Sequence, residues 1–292
     1  MTIFEAKKII QDYYRIGSPN DEQDFMYTEA LNFIIHTEKN PRAMLELGGW
    51  YYEKRDFDKA AKYYELAAEC GEKGAYSPLG YIWYYGRTGV KDYEKAFKYY
   101  NLAADNGDDE AAYKIADMYK NGYFVEKDYD KYKSIIEKLY KKVKNDRNLW
   151  SPLPQISIRL AVIRSEQGKK EDAANLLIYA KDFLAQRIRI NSFFGDITTM
   201  KWLITELYNV IDFDYHSFDF YDLFHLLKTP VKITFRYKNK EYNVESSEDG
   251  ELMAVHFGDK WFRSSDEFFN KAVIENNRLT KIYNDLYLFE VR

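Results

Sequence analysis

AMLELGGWYYEKRDFDKAAKYYELAAECG (residues 43–71) and AYSPLGYIWYYGRTGVKDYEKAFKYYNLAADNG (residues 75–107) are two versions of one statement. Aligned, Leu47-Gly48 falls on Leu79-Gly80, Asp56 on Asp92, Lys59-Ala60 on Lys95-Ala96, Tyr63-Tyr64 on Tyr99-Tyr100 and Ala67-Ala68 on Ala103-Ala104. Self-similarity at this period predicts stacked helical hairpins, each unable to bury its apolar face without a neighbour. In each copy the aspartate precedes the second helix as its expected N-cap, accepting a bond from an otherwise unpaired backbone N–H. Gly71 and Gly107 follow that helix, where a left-handed residue ends it at low cost. The small residues Gly48 and Ala60 mark the expected close approach of the two helices.

A third copy begins at Ala111-Ala112-Tyr113-Lys114-Ile115-Ala116 and keeps Tyr119, Gly122, Val125, Asp128 and Lys131 at the same offset. It departs at Tyr132 and Leu139, which stand where the second copy has Ala96 and Ala103. Upstream, residues 3–15 and 22–38 place apolar side chains at helical spacing around a Gly17-Ser18-Pro19-Asn20 break, and this pair is expected to cap the stack. Downstream, Trp150-Ser151-Pro152-Leu153-Pro154 interrupts the pattern. A fourth hairpin follows with Leu160, Ala161, Gly168, Ala173, Leu177 and Ala180, then helices over about 194–210 and 217–228.

The repeated pattern, Leu-Gly-x-x-Tyr/Trp followed by Asp-aromatic-x-Lys-Ala-x-x-Tyr-Tyr-x-x-Ala-Ala-x-x-Gly, resembles the Sel-one-like repeat, a relative of the tetratricopeptide repeat. The second copy matches best, including its Gly-x-x-Gly-Val loop. The fourth hairpin resembles tetratricopeptide units more closely. The resemblance covers about residues 43–185. It implies an α-solenoid adaptor without catalysis that holds a protein or peptide partner on its concave face.

After Pro230 the period changes from helical to two. Val231, Ile233, Phe235 and Tyr237 alternate with Lys232, Thr234, Arg236 and Lys238, as in a half-buried strand. Lys238-Asn239-Lys240 predicts a turn into Glu241–Val244, a third strand is expected at 251–257, and Ser264–Glu267 has the form of a capping box. Segments 279–283 and 286–291 are read as a closing hairpin around Asn284-Asp285. The fold class expected is therefore mostly α: an α-solenoid of stacked helical hairpins over 1–228, then a small α+β module over 229–292.

Composition narrows the function. With 46% hydrophobic and 31% charged residues the 292-residue chain has the make-up of a globular protein. A net charge of −4 offers no global attraction to nucleic acid or anionic membrane. The basic run Lys138–Lys144 is read as a solvated helix face, leaving RNA binding a minor alternative. Cys70 is the single cysteine, so no intrachain disulfide is possible; this favours a reducing, cytoplasmic compartment, with Cys70 as buried filler. The N-terminus lacks a signal core, and no apolar run is long enough to span a bilayer.

Positive signs of chemistry are few. No phosphate loop, dinucleotide fingerprint or zincin motif occurs, and no cofactor or metal is expected. Asp212, Asp214, His216, Asp222 and His225 have a metal-site flavour that an acidic loop beside a helix also produces. The informative surface lies opposite the packing stripe Leu79, Gly80 and Trp83 of the second repeat. There the sequence places Ser77, Tyr81, Tyr84 and Tyr85. The equivalent positions are Leu45, Gly49, Tyr52 and Glu53 in the first repeat and Tyr113, Asp117, Lys120 and Asn121 in the third. Together they predict an aromatic strip flanked by both charge signs, suited to docking an extended segment or helix. A second reading gives partner recognition, of the kind that neutralises a toxin-type effector, to the C-terminal module.

Overall fold

The computed structural model describes residues 1–190, 194–210, 227, 230–249, 252–282 and 287–291. The chain divides into two compact units, Met1–Ile135 and Ile136–Arg292. The boundary expected near residue 228 falls among residues outside the described set, as do the helix read at 217–228 and the Asp212–His225 cluster.

The first unit is a stack of hairpins. Helices α1 (Ile3–Tyr13) and α2 (Asp21–Glu38) form the first. The repeats follow as α3 (Pro41–Glu53) with α4 (Phe57–Glu69) and α5 (Tyr76–Tyr85) with α6 (Tyr93–Asp105); α7 (Asp109–Asn121) comes next, and the boundary between the units falls within α8 (Tyr129–Val143). Local signals set most repeat boundaries, the start of α5 at Ala75 being without a side-chain cap. Asp56, Asp92 and Asp128 each accept the backbone N–H three residues on, at 3.2, 2.9 and 2.8 Å, and Asn40 and Asp108 do the same for α3 and α7. Gly86 and Gly122 close α5 and α7 in the left-handed conformation that glycine adopts without strain.

Burial runs from hairpin to neighbour. One apolar cluster joins α1 and α2 to Ala43 and Leu47 of α3, a second joins α3 and α4 to Leu79 and Ile82 of α5, and a third joins α6 to Ala111, Ile115 and Met118 of α7. Each hairpin thus owes its stability to the next, as in a one-dimensional stack. The first hairpin is less polar than a cap is expected to be, leaving Phe4 78% exposed.

The close approach within a repeat is between glycine and tyrosine. A Cβ on Gly48 would lie 2.7 Å from the Tyr64 ring, and one on Gly80 would lie 2.5 Å from the Tyr100 ring. The third repeat changes both partners together: Ala116 stands at the glycine position and Ile136 at the tyrosine position. Tyr132, which replaces the alanine at position 96, is buried. Cys70, expected as buried filler, is exposed at the end of α4.

In the second unit α9 (Leu153–Glu166) and α10 (Lys170–Ile190) pack as the expected fourth hairpin, and α11 (Phe194–Val210) follows. Strands β1 (Val231–Tyr237), β2 (Lys240–Asp249), β3 (Leu252–Phe257) and β4 (Lys260–Phe262) form a meander in the order β4-β3-β2-β1, with the C-terminal strand Tyr287–Val291 antiparallel on the far side of β1. Lys238 and Asn239 both have positive φ between the paired residues Tyr237 and Lys240, the tight-turn geometry that fits strand twist. The α12 helix (Ser265–Lys271) starts at Ser264, whose hydroxyl accepts Glu267 N–H; the Glu267 carboxylate reaches back to Arg263 N–H instead of closing the box on Ser264.

The closing hairpin is corrected. Leu279–Ile282 is a helical turn, and the last strand pairs with β1 instead of with it. A four-residue segment is too short for its periodicity to separate the two states. Nor does the change of period at Pro230 mark a change of core: Leu177, Leu184, Met200 and Leu203 share one buried cluster with Ile233, Phe235, Val255 and Phe268.

Candidate interaction face

The first helices of the repeats, α3, α5 and α7, carry a continuous line of rings and cations. Tyr52 of α3 meets Phe57 at 5.2 Å and Tyr81 of α5 at 6.3 Å between ring centroids, both edge-on. Tyr81 meets Tyr85 one turn along α5 at 4.4 Å. The Tyr85 hydroxyl in turn accepts a 2.6 Å hydrogen bond from Lys114 Nζ of α7. Side chains four apart on α5 thereby link three successive hairpins.

Arg87, in the loop after α5, folds back over this line. Its guanidinium donates to the Tyr81 hydroxyl at 3.0 Å and lies 5.8, 5.3 and 5.8 Å from the Phe57, Tyr81 and Tyr85 centroids. Lys114 sits 5.6, 4.9 and 5.4 Å from the Tyr84, Tyr85 and Tyr113 rings. Such placements exploit the negative face of the ring. Tyr85, the centre of the group, is 40% exposed.

The expected strip is therefore partly assembled. Tyr52, Tyr81 and Tyr85 form it, Ser77 is half-buried on α5, and Glu53 is exposed at the end of α3. Tyr84 turns instead into an aromatic cluster with Tyr93, Tyr100 and Tyr123, at 5.7, 6.1 and 6.0 Å. Burial pushes its hydroxyl pKa up, with the charge of Asp117 adding to the effect. Tyr113, at 4% exposed, is likewise a packing residue, its hydroxyl donating to Glu110. Lys120 covers the Tyr132 ring, and Asn121 hydrogen-bonds back to the Asp117 carbonyl. Leu45 and Gly49 add no aromatic surface.

Two contributors escaped the sequence reading. Arg87 belongs to the inter-helix insertion, which reads as a spacer. Lys114 occupies a position held by Pro78 in the preceding repeat, so no pattern singles it out.

Tyrosine burial gives the stack an alkaline limit. Packing against Gly48 pushes the Tyr64 pKa up to about 12, mainly by desolvation. Burial favours the neutral phenol, so the stabilisation is complete below the ordinary tyrosine pKa of about 10 and is lost as pH rises through 12. Urea midpoints are expected to hold to about pH 9 and then fall. A Tyr64→Phe variant is expected to lose about 2–3 kcal/mol less than wild type over that interval; equal losses would contradict the assignment.

Among the described residues no group of three or more His, Cys, Asp or Glu side chains is placed to hold a metal ion, and no helix is long and apolar enough to cross a membrane.

The family model of the Sel1 repeat matches residues 41–72, 75–108 and 109–131, so the chain carries Sel1 repeats over 41–131. The hairpin of α9 and α10 lies outside those matches. Among solved structures the chain is similar to a Sel1 repeat protein from Oxalobacter formigenes, at 22% identity and TM-score 0.46, covering 69% of this chain and 83% of that one. It is also similar to a tetratricopeptide repeat protein from Parabacteroides merdae, at 13% identity and TM-score 0.44, covering 69% and 79%. A protective antigen of uropathogenic Escherichia coli with an SLR fold matches at 17% identity and TM-score 0.27, covering 77% and 58%. No curated protein matches the chain in sequence.

Proposed function

We propose that the Sel1-repeat array is a non-catalytic scaffold, acting in the cytoplasm, that holds a protein or peptide partner against the face built by α3, α5 and α7. Repeat proteins of this kind generally mediate protein–protein interactions. The observation that carries the reading is the Tyr52–Tyr81–Tyr85 line, which crosses from one hairpin to the next and leaves Tyr85 exposed at its centre. Tyrosine is suited to such a face because it presents a large rigid ring and a hydroxyl at small entropic cost. The line runs across the repeats, so a partner lying along it would touch several hairpins at once.

The test is capture from a native lysate with wild type and with Tyr81→Ala/Tyr85→Ala. Both rings lie on the surface side of α5, so the variant is expected to retain its thermal midpoint within a few degrees while losing the partner. A partner retained at wild-type level by a folded variant would remove the function from this face.

A further inference from the structure

We propose that the segment held by this face is acidic: an extended peptide carrying two carboxylates, received by Arg87 and Lys114. The inference deepens the docking reading above and rests on it.

Both cations are held by tyrosine hydroxyls and ring faces. Lys114 is only 8% exposed, yet its ammonium has a tyrosine hydroxyl and tyrosine ring faces around it and, among the described residues, no carboxylate within ion-pairing distance. Arg87 is in the same position, with the Tyr81 hydroxyl and three rings. Elsewhere on this stack Lys54 holds Asp24, Lys59 holds Asp56 and Lys95 holds Glu65, while Lys131 rests on the Tyr119 hydroxyl and ring but is exposed, unlike Lys114. Hydroxyls and ring faces orient a cation without pairing it, so Arg87 and Lys114 keep their charges unpaired by the acids nearest on these helices, Glu53, Glu110 and Asp117, of which Glu110 takes the Tyr113 hydroxyl.

Tyr85 joins the two. Arg87 and Lys114 lie 5.8 and 4.9 Å from its centroid, so both charges neighbour one exposed ring. In an extended segment alternate side chains fall on the same side about 7 Å apart. Two acids separated by one residue can therefore each reach one of the cations beside the ring. The guanidinium fork favours paired contact with a carboxylate, and partial desolvation by the surrounding rings strengthens each contact relative to one in water. The two charges form a point pair and not a continuous track, which favours an acidic peptide over a nucleic-acid backbone.

A phage-displayed random dodecapeptide library, panned on the full chain, tests this. Wild type is expected to enrich Asp and Glu, with pairs at i and i+2 prominent, and Arg87→Gln/Lys114→Gln is expected to lose that enrichment. A synthetic copy of the best sequence should bind at least tenfold more weakly when its acids are changed to glutamine, and more weakly as salt rises. Because Lys114 is buried, Arg87→Gln alone, changed in an exposed loop, is read separately and should weaken the same peptide several-fold. Neutral or basic enrichment, no enrichment, or acidic enrichment that persists on both variants would overturn the proposal. Neutral sequences that are lost on Tyr81→Ala/Tyr85→Ala would reject the acidic partner while keeping the docking face. Selections indifferent to every variant would reject both. A fluorescein-labelled oligouridylate that displaces the best acidic peptide at equal concentration would assign the cations to phosphate and overturn it as well.

Discussion

Arg187→Met is expected to destabilise the second unit by about 3–5 kcal/mol, the cost of breaking a buried ion pair by removing one member. Arg187 and Asp196 have side chains only 6% and 5% exposed and are joined at 3.1 Å. The guanidinium also donates to the Ser151 carbonyl at 2.6 Å. One side chain near the end of α10 thus ties the start of α11 to the turn preceding α9, in the region where Pro152 and Pro154 interrupt the helical pattern. Removing it takes the Arg187 hydrogen bonds from the Asp196 carboxylate and the Ser151 carbonyl together. Arg187→Met/Asp196→Leu removes both charges and is expected to recover most of the loss, since well-packed apolar replacements of buried pairs are often neutral. Urea unfolding followed by circular dichroism measures both. A single variant costing under about 1 kcal/mol, or a double variant worse than the single, would show that the pair does not hold this junction.

Gly80→Ala is the second large effect, and its sign is informative. Helix propensity alone favours alanine over glycine by about 1 kcal/mol at an interior position. Here the added methyl would lie 2.5 Å from Tyr100 Cδ1 and 2.6 Å from Cε1. These are ring atoms near the backbone, and Tyr100, at 1% exposed, has nowhere to move. Overpacking of this kind costs about 1–3 kcal/mol beyond the propensity gain. The variant is therefore expected to be less stable than wild type despite its better helix former. Coupling it to Tyr100→Ile gives the residues the third copy carries at these two sequence positions, Ala116 and Ile136, and is expected to relieve the clash, giving a favourable interaction energy in a double-mutant cycle. A stabilised Gly80→Ala, or strict additivity, would mean that the glycine–tyrosine contact does not set the spacing within the hairpin.

These contacts also show why so much of the fold was legible. The repeats state it three times, and each copy brings its own aspartate cap and glycine stop. Such signals are local and need no knowledge of the tertiary structure. The strands after Pro230 were legible for the same reason, from a clean alternation and an Asn-containing turn. The shared core of the second unit was not, because it joins residues more than a hundred positions apart, such as Ile158 and Leu279. Periodicity within one element does not say which element will cover it.

The proposed interaction face was half legible on the same grounds. Helical geometry places Tyr81 and Tyr85 on one side of α5, and they remain there. Tyr84, one residue away and about 100° round the helix, lies at the edge of that arc, where the neighbouring Tyr93 and Tyr123 cover it. Arg87 is brought to the face by the backbone reversal at Gly86, which a linear pattern does not encode.

The central claim is that the tyrosine line across α3, α5 and α7 is the surface that partners touch. Site-specific photocrosslinking tests it most directly, with a benzoylphenylalanine placed in turn at positions 52, 81 and 85, and at the exposed positions 62 and 98 on the second helices. The account predicts one common adduct from 52, 81 and 85 and none from 62 or 98. An adduct formed only from the second helices would contradict it.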